Sequence, residues 1–344
     1  MSTGSFLRRI LDETKGIKHS QKPKRQAPKM VVVNYTSLPV EIPSNFLAPL
    51  PNPLNTLHVQ EIEFGSKRDP GNIPRDESID LIYANIPENS DRYAVIIDNV
   101  LTEQECKQLI HMAELSAGVH GDEMVEGNGW KPAMVNGGYN REYLALDYRN
   151  SDRIVWDNKV VMDRIWERVM QHPRMKERFS SMLGFGTEIE PSGRGYGETK
   201  DVQWLLAGPN ERMRFLKYGK GQFFKEHCDG CYEEGDYARS FYTIHVYLND
   251  SAQALGHPIN LDDEKDSPGA LLEGGATSFF SESMEQRFDA DPKIGRVLVF
   301  QQRGLLHSGD YVSRGVKYTM RSDLMYTLDL DYQPPGADME IQFS

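Results

Sequence analysis

The sequence predicts a mainly β fold with flanking helices, and three observations carry that prediction. From about residue 213, short runs of β-branched and aromatic residues recur at 213–218, 241–248, 276–280, 296–301 and 317–328, separated by Gly, Asp, Asn and Pro. Short strands with turn signals between them are the pattern of a sandwich, barrel or jelly roll. Ahead of them, only 103–115 and 157–172 show clear helical periodicity. Finally, 344 residues that are 39% hydrophobic supply a sizeable core. Length alone allows two or three domains, and one large β enzyme domain with helical additions fits equally well.

The elements follow in order. Residues 1–30 hold eight Lys/Arg against two acids and are expected to be a basic, disordered tail. Nothing there resembles the apolar core of a signal peptide. With only three cysteines and no export signal, the expected location is intracellular and cytoplasmic. Lys22-Pro-Lys-Arg25 leaves a nuclear address open. Residues 31–85 are expected to be a Pro-rich arm and linker, because the five prolines of 39–53 suit neither a helix interior nor a central strand. Such an arm either folds back on its own domain or crosses to a second copy, which would make a homodimer.

A strand is expected at 93–97. Thr102-Glu-Gln-Glu105 then fits a capping box opening a helix with Cys106, Leu109, Ile110 and Ala113 on one face. Residues 118–150 are rich in Gly, Asn and aromatics and are expected to form a lid or binding loop. In the second helix, Val160, Val161, Ile165 and Val169 are spaced helically. Gly193-Arg-Gly-Tyr-Gly197 has neither a preceding strand nor a phosphate-loop ending, so it is expected to be a plain loop. The domain is drawn over 86–335, with a helical part at 100–180, a β core at about 210–330 and a C-terminal tail at 336–344.

A net charge of −12 argues against general nucleic-acid binding. The longest aliphatic runs are a few residues, far short of a membrane span. No membrane partner is expected.

Three features of the β region carry chemistry. His227-Cys-Asp229 places two ligand types at i and i+2, which share a face on a strand. His307 follows 78 residues later. Two His and one carboxylate are the facial set of non-haem Fe(II) oxygenases, which leaves coordination positions open. Lys317 follows at the start of its own strand, and a cation buried in a β cavity requires an anionic partner.

In order and flanking residues, these features resemble the prolyl-4-hydroxylase-like 2-oxoglutarate/Fe(II) dioxygenases. The matching stretches are Arg214-Phe-Leu-Lys-Tyr218-Gly-Lys-Gly-Gln-Phe-Phe-Lys-Glu-His227-Cys-Asp229-Gly, Ser240-Phe-Tyr-Thr-Ile-His-Val-Tyr247-Leu-Asn249, Glu273-Gly-Gly-Ala-Thr277-Ser-Phe, Pro292-Lys-Ile-Gly-Arg-Val-Leu-Val-Phe300, and His307-Ser-Gly with Gly315-Val-Lys317-Tyr. The resemblance covers roughly 90–330 and leaves 1–85 outside.

The resemblance implies a double-stranded β-helix (jelly-roll) core. It implies Fe(II) held by His227, Asp229 and His307, with 2-oxoglutarate and O₂ as co-substrates and ascorbate as a candidate accessory reductant. The distal carboxylate of 2-oxoglutarate would pair with Lys317 and accept from Tyr247, with Tyr218 and Thr319 lining its pocket. Succinate and CO₂ would be the co-products of oxidising an unactivated C–H bond. A reactive centre needs cover from water, which makes 118–150 the lid candidate and Trp130, Tyr139 and Tyr143 candidates for the substrate mouth.

Two departures stand out. Many members have Pro-Val after the distal His, whereas this chain has Tyr311-Val312, so Tyr311 either enters the pocket or replaces a turn proline. Arg321 follows Lys317 by four residues on the same strand face and is the alternative carboxylate anchor. His245 is either a buried structural residue or a substrate contact. Cys228 and Cys231 form a CxxC, but with Cys106 as the only other cysteine they make a poor zinc site. Asp262-Asp-Glu-Lys-Asp266 is expected to be a solvated loop.

The expected substrate is a small molecule or amino-acid derivative, since no dedicated peptide-binding domain is visible. The alternatives are a peptidyl prolyl 4-hydroxylase, an iron oxidase that does not use 2-oxoglutarate, and a non-catalytic jelly-roll binding module.

Overall fold

In the strand Ala94–Asp98 every residue is buried, and the side chains alternate between two different cores. Val95 and Ile97 join one apolar cluster and Ala94 and Ile96 another. Such a strand lies between two layers and reads as a continuous apolar run. The computed structural model describes residues 29–65, 79–118, 129–138, 141–183, 202–257 and 269–333.

The principal strands are β1 (His58–Glu63), β2 (Asp80–Tyr83), β3 (Ala94–Asp98), β4 (Arg149–Asn150), β5 (Asp152–Asp157), β6 (Gln203–Pro209), β7 (Arg212–Tyr218), β8 (Phe223–His227), β9 (Ala238–Tyr247), β10 (Thr277–Phe280), β11 (Arg287–Ala290), β12 (Val297–Gln301), β13 (His307–Gly309) and β14 (Lys317–Asp329). The principal helices are α1 (Glu103–Ser116), α2 (Lys159–Met170) and α3 (Pro173–Phe179).

The large sheet runs β2-β1-β3-β12-β9-β14-β7-β5. Its long strand β14 pairs β9 on one side, and β7 and then β6 on the other. The smaller sheet runs β11-β10-β13-β8-β4. From β7 onward the chain passes back and forth between the sheets: β7 large, β8 small, β9 large, β10 and β11 small, β12 large, β13 small, β14 large. That alternation winds a double-stranded β-helix, so the core is a jelly roll with flanking helices. Phe279 of β10 meets Phe300 of β12 edge to face, with ring centroids 5.4 Å apart, which packs the two sheets together.

The helices cover the outer face of the large sheet. Cys106, Leu109, Met112 and Ala113 of α1 and Val161, Ile165, Trp166 and Val169 of α2 pack in one cluster with Ile244, Val246, Val297 and Val299. The capping box of α1 forms as the sequence predicts. Glu105 N donates to Thr102 Oγ1 at 3.3 Å, and Thr102 N donates to Glu105 Oε2 at 2.8 Å. Glu105 also receives two hydrogen bonds from Arg168 at 2.7 and 2.9 Å, tying α1 to α2. The sequence predicts one helix over 157–172. The helical stretch instead breaks after Met170, and Pro173 starts α3 at a position where its missing N–H costs nothing.

The described part of the arm folds back on its own domain. Arg164 Nη1 donates to the carbonyls of Pro43 and Phe46 at 3.0 and 2.8 Å, and Arg168 Nε to that of Ala48 at 2.8 Å. The sequence treats all of 31–85 as arm and linker. Within it, however, β1 pairs antiparallel with β3, and β2 pairs parallel with β1, at the edge of the large sheet. The basic tail, Gly193–Gly197, the acidic run 262–266 and the C-terminal tail lie outside the described residues.

Candidate metal centre

β8 and β13 run antiparallel in the small sheet, and His227 lies directly opposite His307. Their register shifts by one residue between Phe224 and His227, a bulge that re-aims the end of β8. The His227 ring stacks on Phe224 at 3.7 Å and lies 4.4 Å from the His307 ring, centroid to centroid. The sequence expects His227 and Asp229 on one strand. β8 ends at His227, and Asp229 reaches the same space from the irregular segment beyond it.

His227 Nε2 is 3.6 Å from Asp229 Oδ1, and His307 Nε2 is 3.7 Å from Asp229 Oδ2. One ligand atom from each residue lies within 4.8 Å of the others, and among the described residues this is the one such group of three. His227 Nδ1 is 2.7 Å from Lys225 O, and His307 Nδ1 is 3.0 Å from Leu305 O. A carbonyl only accepts, so both Nδ1 atoms carry a hydrogen, and both Nε2 atoms face Asp229 as the ligand positions. Burial foremost pushes the His307 pKa down to about 4, keeping it a neutral imidazole.

Burial alone would raise the Asp229 pKa. Arg321 first, then His307 and His227, outweigh that and hold it well below the usual carboxylate range. Asp229 Oδ2 accepts from Thr243 Oγ1 at 2.6 Å and forms an ion pair with Arg321 Nη2 at 3.1 Å. Two imidazoles and one ionised carboxylate suit Fe(II), so this trio could hold that ion.

The other wall comes from the large sheet. Thr243, His245 and Tyr247 alternate along β9, facing Asp323, Arg321 and Thr319 of β14 across the ladder, and Lys317 lies at the start of β14 opposite Tyr218 of β7. Lys317 is 1% exposed, and Nζ lies 5.2 Å from the Tyr218 ring and 5.8 Å from the Tyr247 ring. No carboxylate among the described residues pairs with it, and burial lowers its pKa to about 7. Its stem passes Gly275, where φ is +73° and a Cβ would sit 3.1 Å from Lys317 Cδ, so the glycine is needed on both counts.

Arg321 is engaged by Asp229 and also by Asp323, at 3.4 Å. Asp323 in turn takes Arg214 at 2.9 Å and Gln302 at 3.0 Å. A chain of alternating charges therefore leads from Asp229 into the sheet.

The remaining sequence candidates fall in different places. Tyr218 and His245 line the same pocket as the trio and Lys317. Burial, then Lys317 and Arg321, keep His245 neutral, and its Nε2 has no hydrogen-bond partner among the described residues. Tyr247 stands behind the wall, with its hydroxyl 2.7 Å from Oγ1 of the pocket residue Thr277. Thr319 is buried, and its Oγ1 is unpartnered among the described residues.

Trp130 is not in the pocket wall. It packs edge to face on Tyr318 at 5.9 Å, and its Nε1 donates to Glu114 at 2.9 Å. Tyr143 is half-buried on the strand Arg141–Tyr143, away from the pocket lining. Tyr311 is 58% exposed, stacks on Phe223 and is not among the residues lining the pocket. Tyr139 lies outside the described residues. Cys228 is exposed and Cys106 is buried in α1, so the cysteines form no ligand cluster.

Sequence reasoning missed Arg149, Phe224 and Thr243. The period-2 signal for Thr243 is present, two residues before His245. Phe224 and Arg149 enter through the pairing of β8 with β4, which no local pattern announces.

Residues 213–322 match the 2OG-Fe(II) oxygenase superfamily. No curated protein sequence matches the chain. Among solved structures, a viral collagen prolyl hydroxylase from Paramecium Bursaria Chlorella virus-1 is 17% identical, with 68% of this chain and 96% of that chain covered and a TM-score of 0.37. A Pseudomonas putida prolyl-4-hydroxylase is 13% identical, with 70% and 95% covered and a TM-score of 0.37. A Trichoplax adhaerens prolyl hydroxylase, in complex with a hypoxia inducible factor oxygen degradation domain peptide, is 13% identical, with 70% and 87% covered and a TM-score of 0.39. Within helices, no described segment is long and apolar enough to cross a membrane. The matched segment contains the His-Asp-His trio and the cation facing it, so residues 213–322 are similar to the 2OG-Fe(II) oxygenases, oxidoreductases that use Fe(II), 2-oxoglutarate and O₂.

Proposed function

We propose that this oxygenase oxidises an unactivated C–H bond of a small molecule or amino-acid derivative, by hydroxylation or a related oxidation. The observation that carries this reading is the pairing of two features in one pocket: the converging ligand atoms of His227, Asp229 and His307, and the buried ammonium of Lys317 with no carboxylate partner among the described residues. His227, Asp229 and His307 would hold the iron. Lys317 would take the distal carboxylate of 2-oxoglutarate, because a buried cation is tolerable only with a counter-charge.

Iron with bound 2-oxoglutarate supplies the oxidising chemistry, with one oxygen atom of O₂ ending in succinate and the other available to the substrate while CO₂ leaves. The chain's own residues do the positioning. The carbonyls of Lys225 and Leu305 fix the two imidazole tautomers. Arg321 and Thr243 orient the Asp229 carboxylate and keep it ionised. Thr277, which accepts from the Tyr247 hydroxyl behind the wall, lines the pocket with Lys317 and would be the chain's second contact to the distal carboxylate of 2-oxoglutarate. Phe224, stacked on His227, shields that ligand from water on one side.

A small substrate is favoured because the described arm lies along its own helices and forms no separate peptide-binding unit. The test follows succinate release from 2-oxoglutarate, with and without Fe(II), on the wild type and on Asp229→Ala. The expected result is iron-dependent succinate that Asp229→Ala abolishes while its circular dichroism stays native. Succinate release that survives Asp229→Ala would contradict the ligand assignment. A +16 product on proline-rich peptides would overturn the small-substrate reading.

A further inference from the structure

The pocket holds a second buried cation, and 2-oxoglutarate does not account for it. Arg149 is 8% exposed and lines the pocket from β4, the edge strand of the small sheet, whereas Lys317 enters from the large sheet. Its guanidinium carbon lies 4.6 Å from the centroid of Phe224, the ring that stacks on His227. Nη1 donates to Met134 O at 3.3 Å, and Nε has no hydrogen-bond partner among the described residues. The acid within electrostatic reach, Glu142, is taken by Arg153 at 2.6 Å. Arg149 therefore keeps its charge away from water with an aromatic face behind it and no carboxylate in front.

Anion stoichiometry decides what it meets. 2-Oxoglutarate has two carboxylates: in the function proposed above, one would be held at the metal and the other would pair with Lys317. Arg321, the third cation of the pocket, is already paired with Asp229 and Asp323. Arg149 is left over. With Nη1 occupied, its free edge is Nε with Nη2, two parallel N–H donors spaced to match the two oxygens of a carboxylate.

We propose that Arg149 anchors a carboxylate on the oxidisable substrate, so that the substrate class is small carboxylic acids. This rests on the function proposed above. The anchor sits one aromatic ring from His227, so the acid group would be held near the metal and the C–H bond to be oxidised would lie a few bonds from it. The reaction balances as acid C–H plus O₂ plus 2-oxoglutarate giving hydroxy acid, succinate and CO₂.

The test uses full-length protein loaded anaerobically with Fe(II) and 2-oxoglutarate, which gives a weak visible charge-transfer band. Amino, hydroxy, aliphatic and aromatic monocarboxylic acids are then added, each paired with its carboxamide, and binding is read from the change in the band. The expected result is that one or more acids perturb the band in the wild type and their amides do not. In Arg149→Gln the same acids should bind roughly 30-fold or more weakly, as for the loss of one partner of a buried charge pair, while the band forms as before. That intact band shows that Arg149→Gln is folded and holds its co-substrate. Arg149→Lys, which keeps the charge and loses the fork, should fall between.

The proposal is overturned if acids and amides act alike, if no acid perturbs the band, or if Arg149→Gln binds acids as the wild type does. It is also overturned if Arg149→Gln weakens 2-oxoglutarate instead, which would assign Arg149 to the co-substrate. Absence of the band in the wild type is a separate result, and it contradicts the oxygenase reading beneath the proposal.

Discussion

His227 and His307 each donate Nδ1 to a carbonyl two residues earlier, and Asp229 is held by Arg321 and Thr243. The ligand atoms are thus preset by the chain before any ion arrives. Lys317 is the costly residue of the site. Its folded pKa is about 7 against the usual 10.5, because burial disfavours the ammonium. Below about pH 7 the ammonium is charged in both folded and unfolded chains, and its buried charge opposes folding in full. Between about pH 7 and pH 10.5 the folded chain sheds a proton that the unfolded chain keeps, so that opposition fades as pH rises.

A bound carboxylate reverses the preference by holding Lys317 charged. Affinity for 2-oxoglutarate should therefore fall by roughly tenfold per pH unit as pH rises above about 8. Binding measured at several pH values checks this, and a flat profile would remove Lys317 as the anchor. Lys317→Met should lose 2-oxoglutarate binding yet gain about 1–3 kcal/mol of stability in the ligand-free protein, since an apolar chain replaces an uncompensated charge. Thermal unfolding and co-substrate binding, measured on the same samples, check both halves. The roles expected for His227, Asp229, His307 and Lys317 rest on ordered motifs visible in the sequence. Arg149 has no such motif: it reaches the pocket through the tertiary pairing of Asn150 with Phe223 and of Arg149 with Phe224.

Among the elements, β8 and β13 bring His227 and His307 together and β9 and β14 form the opposite wall. Their strand character is legible because the runs at 241–248 and 317–328 are rich in β-branched and aromatic residues, and both faces of β9 are buried. β13, only three residues long, is too short to carry a period. β1 and β2 escape notice because they sit at the sheet edge amid proline-rich arm residues, where tertiary pairing with β3 decides the conformation. α3 escapes because Pro173 both ends one helical run and begins another. The turn between Glu273 and Thr277 is legible as Gly-Gly, but its purpose is not. Gly275 leaves room for the Lys317 stem and takes a left-handed φ of +73°. Gly275→Ala should strain that turn by about 1 kcal/mol or more and weaken 2-oxoglutarate binding while leaving Fe(II) binding intact. Unchanged co-substrate affinity would show that the Lys317 stem has slack.

At the scale of the whole molecule, the chain passes between two sheets so that each contributes half of one pocket. The small sheet brings His227, His307 and Arg149, and the large sheet brings His245, Lys317 and Arg321. Function therefore depends on the sheets staying in register, which the Phe279–Phe300 contact between them and the helices packed behind the large sheet maintain. The jelly roll was legible from motif order, because alternation between sheets is built into that order. The arm's course was not legible, because its hydrogen bonds go to Arg164 and Arg168, more than 100 residues away. The central claim is that one pocket, built from both sheets, holds Fe(II) and 2-oxoglutarate together. An anaerobic titration of the purified protein with Fe(II) and then 2-oxoglutarate, followed by visible absorbance, tests it most directly. The account predicts a weak charge-transfer band that needs both additions and saturates at one equivalent of each. Iron binding with no such band would contradict it and return Lys317 to a structural role.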